Sequence, residues 1–369
     1  MIRKDDFSRL EINLAGCLDN YRYFRSRLEA STKLLVLVKA NAYGHGAVEF
    51  ASLMEEAGAD YLAVALPVEG VELREAGIKS PIMVLTAGTD FFNEIIDNEL
   101  EPGIPNIYSL KALCDVLQKR GVKDFPIHIK LDTGMHRLGF MTEELDELTA
   151  FLKDCSYVKV KSVYSHLAAA DEPDSDDFTL GQIALFKKNA DRLSDSIGYR
   201  PMYHVLNSAG IERFPEYHLD MVRLGIGHYG MSAVANNVLE EVCTLKTKIL
   251  QIRKVSASDT VGYSRKGVLK RDSIIGAIPI GYADGLNRKL GNYNGKVLVN
   301  DHFAPFVGNI CMDVCMIDLT DVPQVKEGDD VVIFGKGNSI QDVAQLLETI
   351  PYEVLAGISK RVKRVYFKE

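Results

Sequence analysis

The chain reads LLVLVKANAYGHG over residues 34–46. Five consecutive apolar residues are typical of a strand that is buried on both faces, as in parallel sheets. The run ends in Lys39, and the carboxyl ends of barrel strands are where catalytic groups gather. A desolvated lysine at such a place can act as a Schiff-base nucleophile, whereas a lysine that merely ends a strand and reaches solvent would give the same local pattern. The segment therefore predicts a buried strand with a candidate reactive amine at its end.

Seven further strand-like runs follow this segment, separated by amphipathic stretches with helical spacing. The eight candidate strands cover residues 34–38, 61–65, 82–85, 100–103, 126–131, 158–164, 202–206 and 219–224. Alternating strands and helices predict a parallel α/β sheet. Either a TIM-like (β/α)8 barrel or a doubly wound open sheet fits, and the count of eight favours the barrel.

After about residue 240 the pattern changes to strand-like segments with Gly-rich turns. Candidate strands cover residues 245–255, 273–280, 296–299, 314–319, 330–334 and 362–367, with one helix over 340–349. Residues 6–30 are typical of a strand followed by a helix, either part of this second domain or a lid on the barrel. We expect a barrel domain over residues 1–240 and a mainly-β domain over residues 241–369.

Composition excludes several classes of function. Lys and Arg number 43 against 51 Asp and Glu, a net charge of −8, so nucleic acid and anionic membranes are poor partners. No apolar run approaches the ~20 residues that span a bilayer, and no apolar leader follows the first residues. The six cysteines are not spaced like zinc ligands or a disulfide framework. We expect a cytoplasmic protein with free thiols and no metal.

Several short motifs together carry a family resemblance. The segment VKANAYGHG (38–46) resembles the pyridoxal-phosphate lysine motif of the alanine racemases. Matching segments follow in family order: KLDTGMHRLG (130–139), SHLAAADE (165–172), NSAG (207–210), RLGIGHYG (223–230), VGYS (261–264), PIGYADG (279–285), GNICMD (308–313) and PYE (351–353). An ordered series is far more specific than any one motif. The resemblance implies a barrel with a C-terminal β domain and pyridoxal 5′-phosphate as the cofactor.

The resemblance also implies how the cofactor is held. Lys39 condenses with its aldehyde, Arg223 faces its ring nitrogen, and its phosphate binds to Ser208, Gly225, Ile226, Tyr43 and Tyr352. Loops after the seventh and eighth barrel strands commonly bind phosphate, and helix-start N–H groups suit a dianion. Asn207 precedes this loop, although Asn-Ser-Ala-Gly alone is equally typical of an ordinary helix cap.

Racemisation needs one acid–base group on each face of the substrate. The resemblance implies Lys39 for one face and Tyr263, from the neighbouring subunit of a homodimer, for the other. His166 would link this tyrosine to the arginine. An unperturbed tyrosine has a pKa near ~10, so its phenolate needs stabilisation.

Further residues are implied at the substrate. Arg137 and the backbone N–H of Met312 would hold its carboxylate with Asp313 nearby, and Tyr282 and Tyr352 would narrow the entrance. Lys130 matches a lysine that is carbamylated in many members of the family. The chain departs from the family pattern at His136, where many members have glycine.

Three alternatives stay open beside the alanine racemase that supplies D-alanine for peptidoglycan. One is a serine or broad-specificity racemase of the same family, although Tyr352 favours alanine because a phenol at the entrance leaves little room for a larger side chain. A barrel-type decarboxylase also uses a strand-end lysine. A cofactor-carrying barrel without activity should lack both the β domain and the opposing tyrosine.

Overall fold

The computed structural model describes residues 7–232 and 238–368. These residues form two compact units. The larger unit contains the described parts of residues 17–42 and 47–240, and the smaller unit contains 7–16, 43–46 and 241–368. None of the helices in the described ranges is both long and apolar enough to cross a membrane.

The strands and helices of the described residues have the following bounds. In chain order the strands are β1 (Arg9–Asn13), β2 (Lys33–Leu37), β3 (Tyr61–Val64), β4 (Ile82–Val84), β5 (Glu101–Ile104), β6 (Phe125–Lys130), β7 (Val158–Tyr164), β8 (Met202–His204), β9 (Met221–Leu224), β10 (Cys243–Lys248), β11 (Gln251–Val255), β12 (Thr260–Val261), β13 (Gly267–Val268), β14 (Ser273–Ile278), β15 (Lys296–Val299), β16 (His302–Val307), β17 (Cys315–Asp318), β18 (Asp330–Phe334) and β19 (Lys363–Phe367). The right-handed α-helices are Leu14–Arg25, Ala47–Glu56, Pro67–Glu75, Phe92–Asp97, Ile107–Arg120, Leu145–Asp154, Asp176–Ile197, Ser208–Arg213, Ile340–Leu346 and Pro351–Ala356.

The larger unit is a parallel barrel. Its strands lie in the order β8-β7-β6-β5-β4-β3-β2-β9. Backbone hydrogen bonds join the two ends of this sheet, from Arg223 N to Leu206 O (3.1 Å) and from Asp220 N to Tyr203 O (3.2 Å). All eight predicted strands and the TIM-like fold are confirmed, with strand ends shifted by at most two residues. The open-sheet alternative is wrong because these bonds close the sheet.

Apolar side chains from several strands fill the barrel. One cluster joins β2, β3, β4, β7 and β9 through Leu35, Tyr61, Ala63, Met83, Tyr164 and Met221. Every residue of β3 and β4 is buried, which explains why those runs are apolar throughout rather than alternating. A fully buried Leu, Val, Ile or Met side chain contributes about 1.5–3 kcal/mol, so these strands are stabilised by the barrel core.

The smaller unit is built on a nine-stranded sheet within its described residues, in the order β11-β14-β17-β16-β15-β18-β10-β1-β19. Neighbours pair antiparallel except β1 and β19, which are parallel. The strand predicted over 245–255 is two strands, because the chain stops pairing with β18 after Lys248 and pairs with β14 from Gln251. The predicted C-terminal β domain is confirmed as mainly β.

Strand β16 was not predicted. It forms a hairpin with β15, in which Val299 pairs with His302 across Asn300 and Asp301. Both turn residues have positive φ, 47° and 61°, as a two-residue hairpin turn requires. Asn-Asp after a β-branched run was therefore a usable signal, which Pro305 inside the strand obscured.

Candidate active site

Lys39 follows β2 at the start of a left-handed turn. Ala40, Asn41 and Ala42 have φ/ψ of 51°/50°, 54°/47° and 51°/52°, and Tyr43 continues with φ 51°. Ala42 N donates to Val38 O (2.9 Å), and the Asn41 side-chain oxygen accepts from Ala47 N (3.0 Å). Because this conformation costs an L-residue about 1–2 kcal/mol, consecutive left-handed residues persist only where the surroundings fix them.

The Lys39 amine is half-buried and shifted toward its neutral form. Burial lowers its pKa and the charge of Arg137 lowers it further, while Glu69 opposes the shift. Glu69 was not predicted. Its carboxylate accepts from Ala40 N in the turn and from Ala65 N (2.8 Å), directly after β3. A lysine with a lowered pKa is more often neutral near pH 7 and thus a better nucleophile.

Lys130 ends β6 and is 8% exposed. Burial lowers its pKa to about 8, and the charges of Arg137 and Arg223 contribute. Arg137 is exposed on the loop that follows. Asp132 shapes this loop, since its Oδ1 accepts from the backbone N–H groups of Gly134 (2.9 Å) and His136 (3.1 Å). Lys130 and Arg137 therefore lie near each other, as expected.

Arg223 lies on β9, 3% exposed, and its guanidinium is fixed from several sides. Nη1 donates to His204 Nδ1 (3.0 Å), and Nη2 donates to Ser165 O (2.6 Å) and Val205 O (3.0 Å). Nη2 also lies 3.3 Å from His166 Nδ1, so the predicted contact between His166 and the arginine is present. These partners restrict the guanidinium to one orientation.

Charge around these histidines is strongly positive. Burial lowers the pKa of His166 well below its ordinary value, and the charges of Arg223, Arg137, Lys130 and Lys39 lower it further. Burial also lowers the pKa of Arg223 to about 10, which leaves it protonated at pH 7. Four cationic side chains near a neutral histidine suit an anionic cofactor and an anionic substrate.

Two loops at the ends of β8 and β9 meet through one serine. Asn207 caps the helix Ser208–Arg213, accepting from Gly210 N (2.9 Å). Ser208 Oγ accepts from Gly225 N (2.9 Å) and Gly227 N (3.2 Å), and Ile226 begins a short 3₁₀ turn. The predicted phosphate residues of the barrel are thus brought together at helix-start N–H groups, which fit a phosphate.

The smaller unit holds its own group of predicted residues. Tyr282 N donates to Cys311 O (3.0 Å) and Ala283 N donates to Met312 O (3.0 Å), which joins the Tyr282 turn to the Met312 segment. Asp313 Oδ1 accepts from Arg361 Nη2 (2.7 Å), and Arg361 Nε donates to Asp284 Oδ1 (2.9 Å). Arg361 was not predicted, because it lies far along the sequence from both carboxylates.

Three predicted tyrosines lie elsewhere in this unit. The rings of Tyr43 and Tyr352 are 5.9 Å apart, and burial together with Tyr352 raises the pKa of the Tyr43 hydroxyl. Tyr263 is 71% exposed, on a 3₁₀ turn where Ser264 is left-handed. Its backbone carbonyl accepts from the Asn309 side chain (3.3 Å). A solvent-facing phenol on a fixed turn is available to a partner molecule.

Comparisons with known proteins find matches along most of the chain. Residues 12–233 match the family model described as alanine racemase, N-terminal domain, and residues 242–366 match alanine racemase, C-terminal domain. Alanine racemase 1 of Clostridium acetobutylicum is 38% identical, over 97% of this chain and 95% of that protein. The alanine racemase structure of Clostridium difficile 630 superposes with a TM-score of 0.92 at 36% identity, covering 98% of this chain and 96% of the other. That of Bartonella henselae, solved with covalently bound pyridoxal phosphate, gives 0.88 at 30% identity, covering 98% and 99%.

Proposed function

Because this chain belongs to the alanine racemase family, we propose that it interconverts L-alanine and D-alanine, with pyridoxal 5′-phosphate held on Lys39. The observation that carries the proposal is the half-buried Lys39 amine, with its lowered pKa, beside three further cations in the barrel. Pyridoxal phosphate, when bound, supplies a sink for the electrons left when the α-proton departs. The D-alanine would enter peptidoglycan.

The cofactor residues of the barrel fit this group. Lys39 offers the amine, and Ser208, Gly225 and Ile226 form the loop where N–H groups would hold the phosphate, with Asn207 fixing the helix start. Tyr43 and Tyr352 would add hydroxyl donors. Arg223 stays protonated and can only donate, so a ring nitrogen held opposite it would stay unprotonated. A weaker electron sink favours return of the proton to the same carbon over transamination.

Protons are moved by two groups in this proposal. Lys39 serves one face of the substrate, and Tyr263 serves the other from the partner subunit of a homodimer. His166 stays neutral beside Arg223. It would link that phenol to the arginine. The exposure of Tyr263 supports a role at a partner's site.

Substrate binding would use residues of one subunit together with Met312 from across the subunit interface. Arg137 and the Met312 N–H hold the carboxylate, Asp313 lies beside them, and Tyr282 with Tyr352 limits the size of the side chain. Lys130, with its pKa lowered to about 8, is neutral often enough near pH 8 to react with carbon dioxide. Its carbamate would brace Arg137. We place these reactions in the cytoplasm, with residues 1–240 as the barrel domain and 241–369 as the β domain.

The proposed experiment compares wild type with Tyr263→Phe. We expect the variant to keep the yellow colour of the Lys39-bound cofactor but to lose α-proton exchange from L-alanine. Tyr108→Phe is the control, because its side chain is 70% exposed like that of Tyr263 but lies on a barrel helix. Equal exchange by wild type and Tyr263→Phe would remove Tyr263 from the mechanism. Faster turnover of L-serine than of L-alanine would instead favour the serine alternative.

A further inference from the structure

A chain of hydrogen bonds runs around the barrel and takes one residue from each of five neighbouring strands. Arg223 Nη1 bonds to His204 Nδ1 (3.0 Å), and His204 Nε2 bonds to Ser162 Oγ (2.8 Å). Ser162 Oγ lies 2.6 Å from His128 Nδ1, and His128 Nε2 lies 2.9 Å from Glu101 Oε2. All five residues are buried, with at most 6% exposure. The chain links the proposed cofactor arginine to a carboxylate four strands away.

Arg223 and Glu101, the two ends of this hydrogen-bond chain, fix which atom carries each proton. Arg223 has only donors, so His204 Nδ1 must accept, and the proton of a neutral His204 is then on Nε2. That N–H donates to Ser162 Oγ, which leaves the serine hydroxyl to donate to His128 Nδ1. His128 then carries its proton on Nε2 and donates to Glu101. Every donor in the chain therefore points from Arg223 toward Glu101.

Charges at both ends support this direction. Burial lowers the pKa of His204 well below its ordinary value and Arg223 lowers it further, so His204 is neutral at pH 7. Burial alone would raise the pKa of Glu101, but the hydrogen bonds from His128 and Lys161 lower it below its ordinary value. An ionised Glu101 has no proton to give, so it can only accept.

Glu101 has further donors on its other side. Lys161 Nζ donates to Oε1 (3.2 Å), and the Tyr61 hydroxyl also hydrogen-bonds to this carboxylate. His128 alone uses Oε2 in the chain. Lys161 thus bonds to one carboxylate oxygen of Glu101, and His128 bonds to the other.

We propose that Glu101 is a positioning residue, whose acceptor oxygen sets the tautomers of His128 and His204 so that Arg223 meets an acceptor. The inference rests on the proposed function, because Arg223 matters through the cofactor ring nitrogen. Without that acceptor, the Nη1–H of Arg223 would oppose an N–H of His204. The guanidinium would then turn on its remaining carbonyl partners and present its donors in another direction.

Glu101→Gln tests this directly, because its amide has one acceptor and one donor end. The acceptor end faces Lys161, which can only donate, so the NH₂ faces His128 Nε2. His128 must then carry its proton on Nδ1, Ser162 donates to His204, and His204 presents Nδ1–H to Arg223. The substitution keeps the size of the side chain at position 101. It reverses the direction of every donor in the hydrogen-bond chain as far as Arg223.

The measurement is ¹H–¹⁵N correlation NMR of histidine-labelled, cofactor-loaded protein, assigned with His128→Asn and His204→Asn. We expect both histidines to carry Nε2–H in wild type and Nδ1–H in Glu101→Gln. We also expect kcat about 10-fold lower with KM little changed, by analogy with the loss of an outer partner of a metal ligand. Lys161→Met is the control, because it leaves Glu101 an acceptor and should change neither the tautomers nor kcat by more than about 2-fold.

A wild-type His204 that carries its proton on Nδ1 would overturn the proposal, even if Glu101→Gln failed to fold. Unchanged tautomers in a folded Glu101→Gln would overturn it too. If the wild-type protein showed the expected tautomers but no racemase activity, the proposed function would fail instead. The two failures are therefore distinguishable.

Discussion

Replacing Ala40 by glycine should make the barrel more stable and the enzyme slower. Ala40 is exposed and has φ 51° and ψ 50°, so its methyl group forms no core contact and its backbone is left-handed. Glycine adopts this conformation without steric cost. The same change in a right-handed helix has the opposite effect, because alanine is the better helix former.

The magnitude follows from two opposing effects. Left-handed backbone costs alanine about 1–2 kcal/mol, which glycine removes. Glycine also widens the unfolded ensemble, which costs about 0.4–1 kcal/mol. The net expectation is that Ala40→Gly raises the free energy of unfolding by about 0.5–1 kcal/mol. At Ala184, exposed on the helix Asp176–Ile197, the same substitution should lower it by about 1 kcal/mol.

The assay is urea unfolding of cofactor-free wild type, Ala40→Gly and the matched control Ala184→Gly, together with kcat of the cofactor-loaded proteins. We expect kcat to fall several-fold only in Ala40→Gly, because a glycine turn lets Lys39 leave its productive orientation. If Ala40→Gly lost as much stability as Ala184→Gly, the strain assigned to the turn would be refuted. If Ala40→Gly were more stable but had an unchanged kcat, the turn would be strained as proposed but would not orient Lys39.

Three other substitutions test separate parts of the site. Gly281→Ala would place a Cβ 2.2 Å from Met312 O, so the Met312 segment must shift and we expect a raised KM for alanine. Gly181→Ala is the control, because its Cβ would have nothing within 4 Å and KM should stay unchanged. Equal KM values for the two variants would contradict a role of the Met312 segment in substrate binding. Gly103→Ala would place a Cβ 2.5 Å from the Tyr164 hydroxyl and should cost about 1–3 kcal/mol by overpacking, and urea unfolding that matched wild type would count against it. Lys130→Met should stabilise the cofactor-free protein at pH 7 in carbonate-free buffer. The folded pKa of Lys130 is about 8 and the ordinary value is 10.5, so the cost of a buried cation is present below pH 8 and is relieved as pH rises toward 10.5. Its advantage in urea should therefore shrink from pH 8 to pH 10, and a pH-independent difference would contradict the assignment.

Most of the fold follows from the sequence because burial on both faces leaves a strong pattern. Runs such as residues 61–64 are apolar at every position and are bounded by helical spacing. Strand ends are less certain, since Val38 continues the apolar run of β2 but belongs to no ladder. Within the smaller unit the pattern predicts one strand over residues 245–255, where the structure has two that pair with different partners. Pairing partners are a tertiary property that a local pattern does not contain.

The candidate site was predictable where its residues sit at strand ends. Lys39 directly follows an apolar run, whereas Arg223, inside β9, and Ser208 and Gly225, on loops, were identified through the motifs. Glu101 and His204 gave no such signal, because a polar residue within a strand is more often on an exposed face. The left-handed turn after Lys39 is equally hidden, since Ala and Asn are compatible with many conformations.

Several features that lower the stability of the barrel converge on the same strand ends. The left-handed turn strains the backbone next to Lys39, burial disfavours the ammonium of Lys130, and Arg223 is a buried cation whose side-chain partners are neutral histidines. An apolar barrel of this size would gain nothing from such an arrangement by itself. An anionic ligand that condenses with one amine and accepts donors from the rest relieves the charge without moving the groups. The backbone strain and the buried charges are therefore the cost of a site that is organised before its ligand binds. Its donors are already fixed, so they need not reorient during the reaction.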